Sequence, residues 1–143
     1  MVEAESKNFE GIIQKVEITE IMRLVSESVG SAQKYIIATM LLAEEIDSPL
    51  PTSYHNLLSE KIKQGVAFLR LGFGSEEKFG KVQEMYQFNA CGYDFKLCVD
   101  CKKYQRMIII DGKMLFFGID GNFYQSSYQP LVNAFKEYFS SLF

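Results

Sequence analysis

The chain has 143 residues, 48% of them hydrophobic and 23% charged, with a net charge of −3 at neutral pH. This length and balance suit one packed core of ordinary globular type. The acidic sum argues against nucleic-acid binding driven by bulk charge, and no apolar run approaches the roughly 18 residues of a membrane span.

The opening stretch MVEAESKNFEG is acidic and polar and lacks the apolar segment of a signal peptide, so the expected location is the cytoplasm. Residues 1–8 are expected to be disordered and residues 9–143 to form the domain. From Phe9 the pattern reads as helix, with Ile18, Ile21, Met22, Val25 and Val29 on one face and Gly30 and Ser31 as its end. Lys34–Leu41 is a short apolar run that predicts a buried strand. The segment EEIDSPLPTS, with Pro49 and Pro51, predicts a loop. Thr52 or Ser53 is placed to cap a helix whose apolar stripe is Leu57, Leu58 and Ile62 and which Gly65 stops. Val66–Phe73 predicts a second buried strand. The turn GFGS follows, and Ser75 with Glu76 and Glu77 marks a helix start. Phe79, Val82, Met85 and Tyr86 are that helix's expected buried face.

After Gly92, DFKLCVD predicts a strand, with Phe95, Leu97 and Val99 alternating against Lys96 and Cys98. QRMIIID and KMLFFGI follow, joined at Asp111-Gly112, a strong hairpin signal. PLVNAFKEYFSSLF closes the chain as a helix with Pro130 in its first turn and Leu131, Ala134, Phe135, Tyr138, Phe139 and Leu142 toward the sheet. The fold class implied is α/β: a mixed sheet with helices on both faces. Strands at 35–41 and 66–72 should be parallel, the second half should add antiparallel strands, and 105–111 should pair antiparallel with 114–119.

Three cysteines, Cys91, Cys98 and Cys101, are an odd count that suggests no disulfide framework. Their C-x6-C-x2-C spacing offers three zinc ligands, with His55 or an aspartate as a fourth. A structural zinc site usually shows two ligand pairs, and here there is one. The expectation is therefore no metal and no cofactor.

The stretch YQRMIIIDGKMLFFGIDGN, Tyr104 to Asn122, carries polar residues at fixed offsets on the late hairpin. With the element order, it resembles one half of the phospholipase D superfamily fold, whose signature is H-x-K-x4-D-x6-G-S-x-x-N. Laid on the chain without gaps, Tyr104 stands for the His and Arg106 for the Lys. Asp111, Gly118 and Asn122 match, and Ile119 stands where the Ser belongs. The resemblance spans roughly residues 9–143 and describes a single, degenerate copy of the motif. It extends to the effector-sensing halves of TrmB-type archaeal regulators, although this chain lacks a winged helix for DNA.

The resemblance implies a chemistry and its loss. In the family two motif copies meet, one His attacks phosphorus, the other protonates the leaving oxygen, and Lys and Asn hold the phosphoryl oxygens. A tyrosine phenol, with a pKa of about 10 against about 6.5 for imidazole, is a poor replacement nucleophile at neutral pH. No efficient catalysis is therefore expected; if activity exists, Tyr104, Arg106 and Asp111 carry it. Arg106 is expected to keep an anion-binding task, with Tyr104, Lys103 and Asn122 around it, because a guanidinium grips phosphate in two-pronged fashion. Asp111 is expected to serve the turn. The implied function is a ligand-binding module for an anion such as phosphate, or a regulatory or dimerisation module. It would act as a homodimer, alone or with other protein domains. A dimeric phosphodiesterase or nuclease is one alternative, against which the net charge weighs. A phospholipid headgroup or membrane-surface binder using the basic run CKKYQR is another, and it would want more clustered lysines.

Overall fold

The computed structural model describes residues 12–86 and 92–143. The segment expected to be disordered at 1–8 lies outside them, as do the first residues of the helix expected from Phe9, the aromatic Phe88 and the candidate ligand Cys91. Its strands are β1 (Gln14–Val16), β2 (Tyr35–Leu41), β3 (Ala67–Phe73), β4 (Tyr93–Cys98), β5 (Met107–Ile110), β6 (Met114–Ile119) and β7 (Asn122–Ser126). Its helices are α1 (Ile18–Gly30), α2 (Leu42–Asp47), α3 (Thr52–Lys63), α4 (Glu76–Met85) and α5 (Gln129–Leu142). All seven strands form one sheet in the order β1-β7-β6-β5-β2-β3-β4.

The largely apolar β2 and β3, the latter interrupted by Arg70, lie side by side and parallel, covered on both faces. β5 pairs antiparallel with β2 and with β6, so the hairpin stands as expected. One sheet face packs Ile36, Ala38, Phe68, Ile108 and Phe116 against Val25 and Val29 of α1 and Leu58 and Ile62 of α3. The other packs Ile37, Leu71, Ile109, Leu115 and Phe117 against Val132 and Phe139 of α5. These alternating sets follow from the two-residue period of the strands.

Several local expectations are corrected. Residues 14–16 are not helical but form the edge strand β1, whose backbone pairs with β7, and the helix begins at Ile18. The segment expected to be a loop is helical up to Asp47, because Leu42 buries beside Met40 and Val82 and anchors a short turn of helix. Neither Thr52 nor Ser53 caps α3; Pro51 holds that place without a side-chain hydrogen bond. Ser75 does cap α4, accepting from the Lys78 amide at 3.2 Å. β4 is not antiparallel to its neighbour: the α4 crossover returns the chain in the direction of β3. Met85 and Tyr138 are exposed, and Val132 takes a core place in α5. The strand β7 is an addition; a second Asp-Gly pair, Asp120-Gly121 with positive φ at both residues, turns β6 into it. No helix among the described residues is long and apolar enough to cross a membrane.

Gly72 lets α2 lie close on β3. A Cβ there would meet Leu42 Cδ2 at 2.7 Å and the Phe95 ring at 3.0 Å. Gly72→Ala is expected to cost about 1–2 kcal/mol through overpacking. The check is urea unfolding with an unchanged m-value; a neutral result would mean that α2 yields freely.

Candidate functional site

The hairpin sets the geometry. Its Asp111-Gly112 turn has positive φ at both residues, the conformation Asp-Gly pairs favour. The Asp111 carboxylate accepts backbone N–H bonds from Gln33 (3.0 Å), Lys34 (2.7 Å) and Tyr35 (3.0 Å). It thereby fastens the turn to the start of β2. Burial works against its charge, but the three amides and nearby Lys113 outweigh that and hold the carboxyl below its ordinary value.

At the other end of the hairpin, the chain is pinned before β5. The Thr39 hydroxyl donates to the Gln105 carbonyl at 2.6 Å and accepts from the Met107 amide at 3.0 Å. The Gln105 amide group donates to the Gly118 carbonyl at 2.8 Å, and the Gly118 N–H donates to the Arg106 carbonyl at 3.1 Å. Gly118 matters here because a Cβ would stand 2.9 Å from Arg106 Cδ. The missing side chain is the room through which the Arg106 stem passes.

Tyr104, Arg106, Gly118, Ile119 and Asn122 thus line one cleft of about 400 Å³, together with Gln105, Asp120 and Phe123. Asp111 is the motif position the structure sets apart, at the far turn, in the supporting task its Asp-Gly context suggested. Lys103 does not line the cleft. It sits on a 3-10 turn at Cys101–Lys103, where its carbonyl accepts from the Tyr138 hydroxyl. Among the described residues the Asn122 side chain makes a single, long 3.5 Å contact, from its amide to the Asp120 carbonyl.

The two leading side chains are constrained. Arg106 Nη2 donates to both Glu44 carboxylate oxygens at 2.6 Å, and its guanidinium lies 5.7 Å from the Phe123 ring centre. Burial opposes its charge, yet the Glu44 hydrogen bond and the field of Tyr104 and Glu44 win and raise its pKa. Tyr104 packs edge-on against Phe73 at 5.2 Å, and its hydroxyl is buried without a hydrogen bond among the described residues. Burial pushes that hydroxyl up to about 12, with Arg106 lowering it and Glu44 raising it. It stays protonated at neutral pH.

Glu44, the carboxylate partner of Arg106, is the residue that the sequence reading missed, being assigned to a loop. The pointer was position: it follows directly on β2, at the carboxyl end of a parallel strand, where α/β sheets gather their sites.

His55 does not join this cleft. It is buried on α3, its Nε2 3.2 Å from Glu45 Oε1, with the Tyr86 ring stacked at 3.7 Å. The Tyr86 hydroxyl donates to the same Glu45 oxygen. Burial opposes the Glu45 charge, but these hydrogen bonds overcome it and lower its pKa. Among the described residues no group of three or more His, Cys, Asp or Glu is arranged to hold a metal, and Cys98 and Cys101 are free thiols.

No protein-family model matches the sequence, and no curated protein matches it significantly. Solved structures do. TrmBL2, an archaeal chromatin protein that binds DNA, is similar over 91% of this chain and 49% of its own, with a TM-score of 0.68 and 16% identity. Nuc from Salmonella typhimurium, a phospholipase D family member, is similar over 91% of this chain and 92% of its own, with a TM-score of 0.67 and 15% identity. The fold is phospholipase D-like. NucT from Helicobacter pylori agrees, with a TM-score of 0.60, 10% identity and the same 91% and 92% coverage. The chain spans about half the length of TrmBL2. Within this phospholipase D-like fold, the hairpin of β5 and β6 carries the cleft, and α2 brings the carboxylate that pairs with Arg106.

Proposed function

We propose that this chain is a catalytically degenerate phospholipase D-like domain, a dimerisation or regulatory module whose Arg106 takes an anion in exchange for Glu44. The observation that carries the reading is the Arg106–Glu44 pair beside the buried Tyr104 hydroxyl. A phenol held near pKa 12 is no nucleophile at neutral pH without a base hydrogen-bonded to it, and the Tyr104 hydroxyl has no such partner among the described residues. The pair is half-exposed, so it holds the fold by no more than about 1 kcal/mol and opens readily to a competing anion.

The same pair supports a homodimer through this face. Two motif copies brought together would oppose two arginines, which is unfavourable unless a carboxylate sits between them, and each Glu44 supplies one. Ile119, exposed on the cleft rim, would be covered in such a dimer. DNA binding is the alternative that the likeness to TrmBL2 raises. A net charge of −3 gives little field for a phosphate backbone.

No hydrolysis of bis-p-nitrophenyl phosphate above buffer is expected. Hydrolysis that disappears in a folded Tyr104→Phe variant would overturn the inactive reading. Phosphate should raise the melting temperature over chloride of equal ionic strength, because it binds the native state alone. Arg106→Ala should abolish that shift, and sedimentation should show a dimer at micromolar concentration. A monomer without an anion effect leaves only the fold.

A further inference from the structure

A second cavity, of about 390 Å³, lies under α1 and meets the motif cleft at Arg106 and Phe123. Its walls are apolar: Ile21, Met22 and Val25 of α1 face Ala38, Ile108 and Phe116 of the sheet. Its charged lining is two guanidiniums, Arg70 and Arg106, against one carboxylate, Glu44. Arg70 projects from mid-β3, is 2% exposed, and lies 4.8 Å from the Phe68 ring centre and 5.9 Å from the Tyr86 and Phe95 rings. Pockets of this size, mostly apolar with a few converging polar groups, are the usual form of small-molecule sites.

We infer that the cavity binds a single-chain amphipathic anion, a medium-chain carboxylate, with its head on Arg106 in place of Glu44 and its tail under α1. This rests on Arg106 being an anion site and adds the identity of the ligand. The sign of the head follows from Arg106, the cation that stands where the apolar cavity meets the polar cleft. The walls select the tail: a small inorganic anion would reach Arg106 but leave the apolar surface uncovered, whereas an alkyl chain fills it. The geometry also places the head, because Arg106 is shared by the polar cleft and the apolar cavity, and its carboxylate partner Glu44 belongs to a half-exposed pair. Ile18, the first residue of α1, lines the same cavity and is 68% exposed, an apolar residue at the rim.

The test is calorimetric titration of the full chain with hexanoate, octanoate and decanoate below their micellar concentrations, beside decanol and inorganic phosphate. Affinity should rise by about fourfold per methylene until the cavity is full. Decanol should bind about tenfold or more weaker than decanoate, and Arg106→Gln should weaken decanoate by a similar factor. Ala38→Leu, which puts carbons into the cavity, should abolish decanoate binding while leaving the phosphate response intact. Native melting behaviour of each variant checks its fold. Equal affinity for decanol and decanoate, a flat chain-length series, or decanoate binding that survives Ala38→Leu overturns the inference. Phosphate binding at Arg106 with no gain from an alkyl chain overturns it too, while the anion-site reading stands. Recruitment to phosphatidylglycerol vesicles without binding of free decanoate also overturns it and assigns the surface to membrane lipid.

Discussion

Asp111→Ala is expected to destabilise the protein by about 2–3 kcal/mol. The substitution leaves three backbone N–H groups, of Gln33, Lys34 and Tyr35, without their acceptor. The first two are exposed and can turn to water, so the part-buried Tyr35 amide dominates the loss, at about 1–2 kcal/mol. A further ~1 kcal/mol comes from φ, which is +56° at this residue; aspartate tolerates the left-handed region better than alanine. Asp111→Asn should cost about half as much, since one acceptor oxygen remains.

The pH dependence has a definite sign. The folded pKa of Asp111 lies below the ordinary value of 3.8. Its contribution is therefore fully present above that value and is lost as pH falls through the folded pKa. Urea unfolding from pH 7 down to pH 3 should show a steeper acid loss in the parent than in Asp111→Asn. Parallel acid limbs, or an Asp111→Ala cost under about 0.5 kcal/mol, would refute the tether.

Glu44→Gln is expected to tighten phosphate binding roughly ten- to hundredfold. The carboxylate occupies Arg106 at 2.6 Å through both oxygens, so an incoming anion must displace it and then lie beside a like charge. That repulsion at about 4 Å is worth roughly 1 kcal/mol in water and about 4 kcal/mol in a surface site of lower dielectric. The amide removes the charge, while the half-exposed pair itself contributes little to stability, so the melting temperature without ligand should change by only a degree or two. Titration with phosphate at fixed ionic strength measures the effect. Unchanged affinity in Glu44→Gln would mean that Arg106 is not the anion's anchor. If the dimer forms through this face, Glu44→Gln should also weaken it in the absence of phosphate, because the two arginines then face each other without a carboxylate between them.

Much of the fold was legible because its signals are local. β2 and β3 are largely apolar runs, β3 broken by Arg70, of the kind that a two-sided, parallel position buries. Asp111-Gly112 announces its hairpin by backbone chemistry, and Ser75 announces its helix by an orphan amide it can satisfy. β7 was signalled by Asp120-Gly121 but concealed by its polar sequence NFYQS, which has no clear apolar alternation. β1, three residues long, has no periodicity to read; only its pairing with β7 makes it a strand.

The site divides the same way. The spacing from Tyr104 to Asn122 was enough to select the residues of one cleft, because a hairpin in register carries residues 106 and 118 side by side. It did not reveal that Arg106 is held by Glu44, 62 residues away, that Asp111 serves amides more than 70 residues away, or that Arg70 lies in the core. By itself the sequence determined the strand faces, the turns and the motif register, since these depend on neighbours two to four residues apart. The tertiary structure alone decided which charge answers which and where an apolar cavity remains. Electrostatic pairing and packing act through space, and no periodicity in the chain encodes a partner that distant.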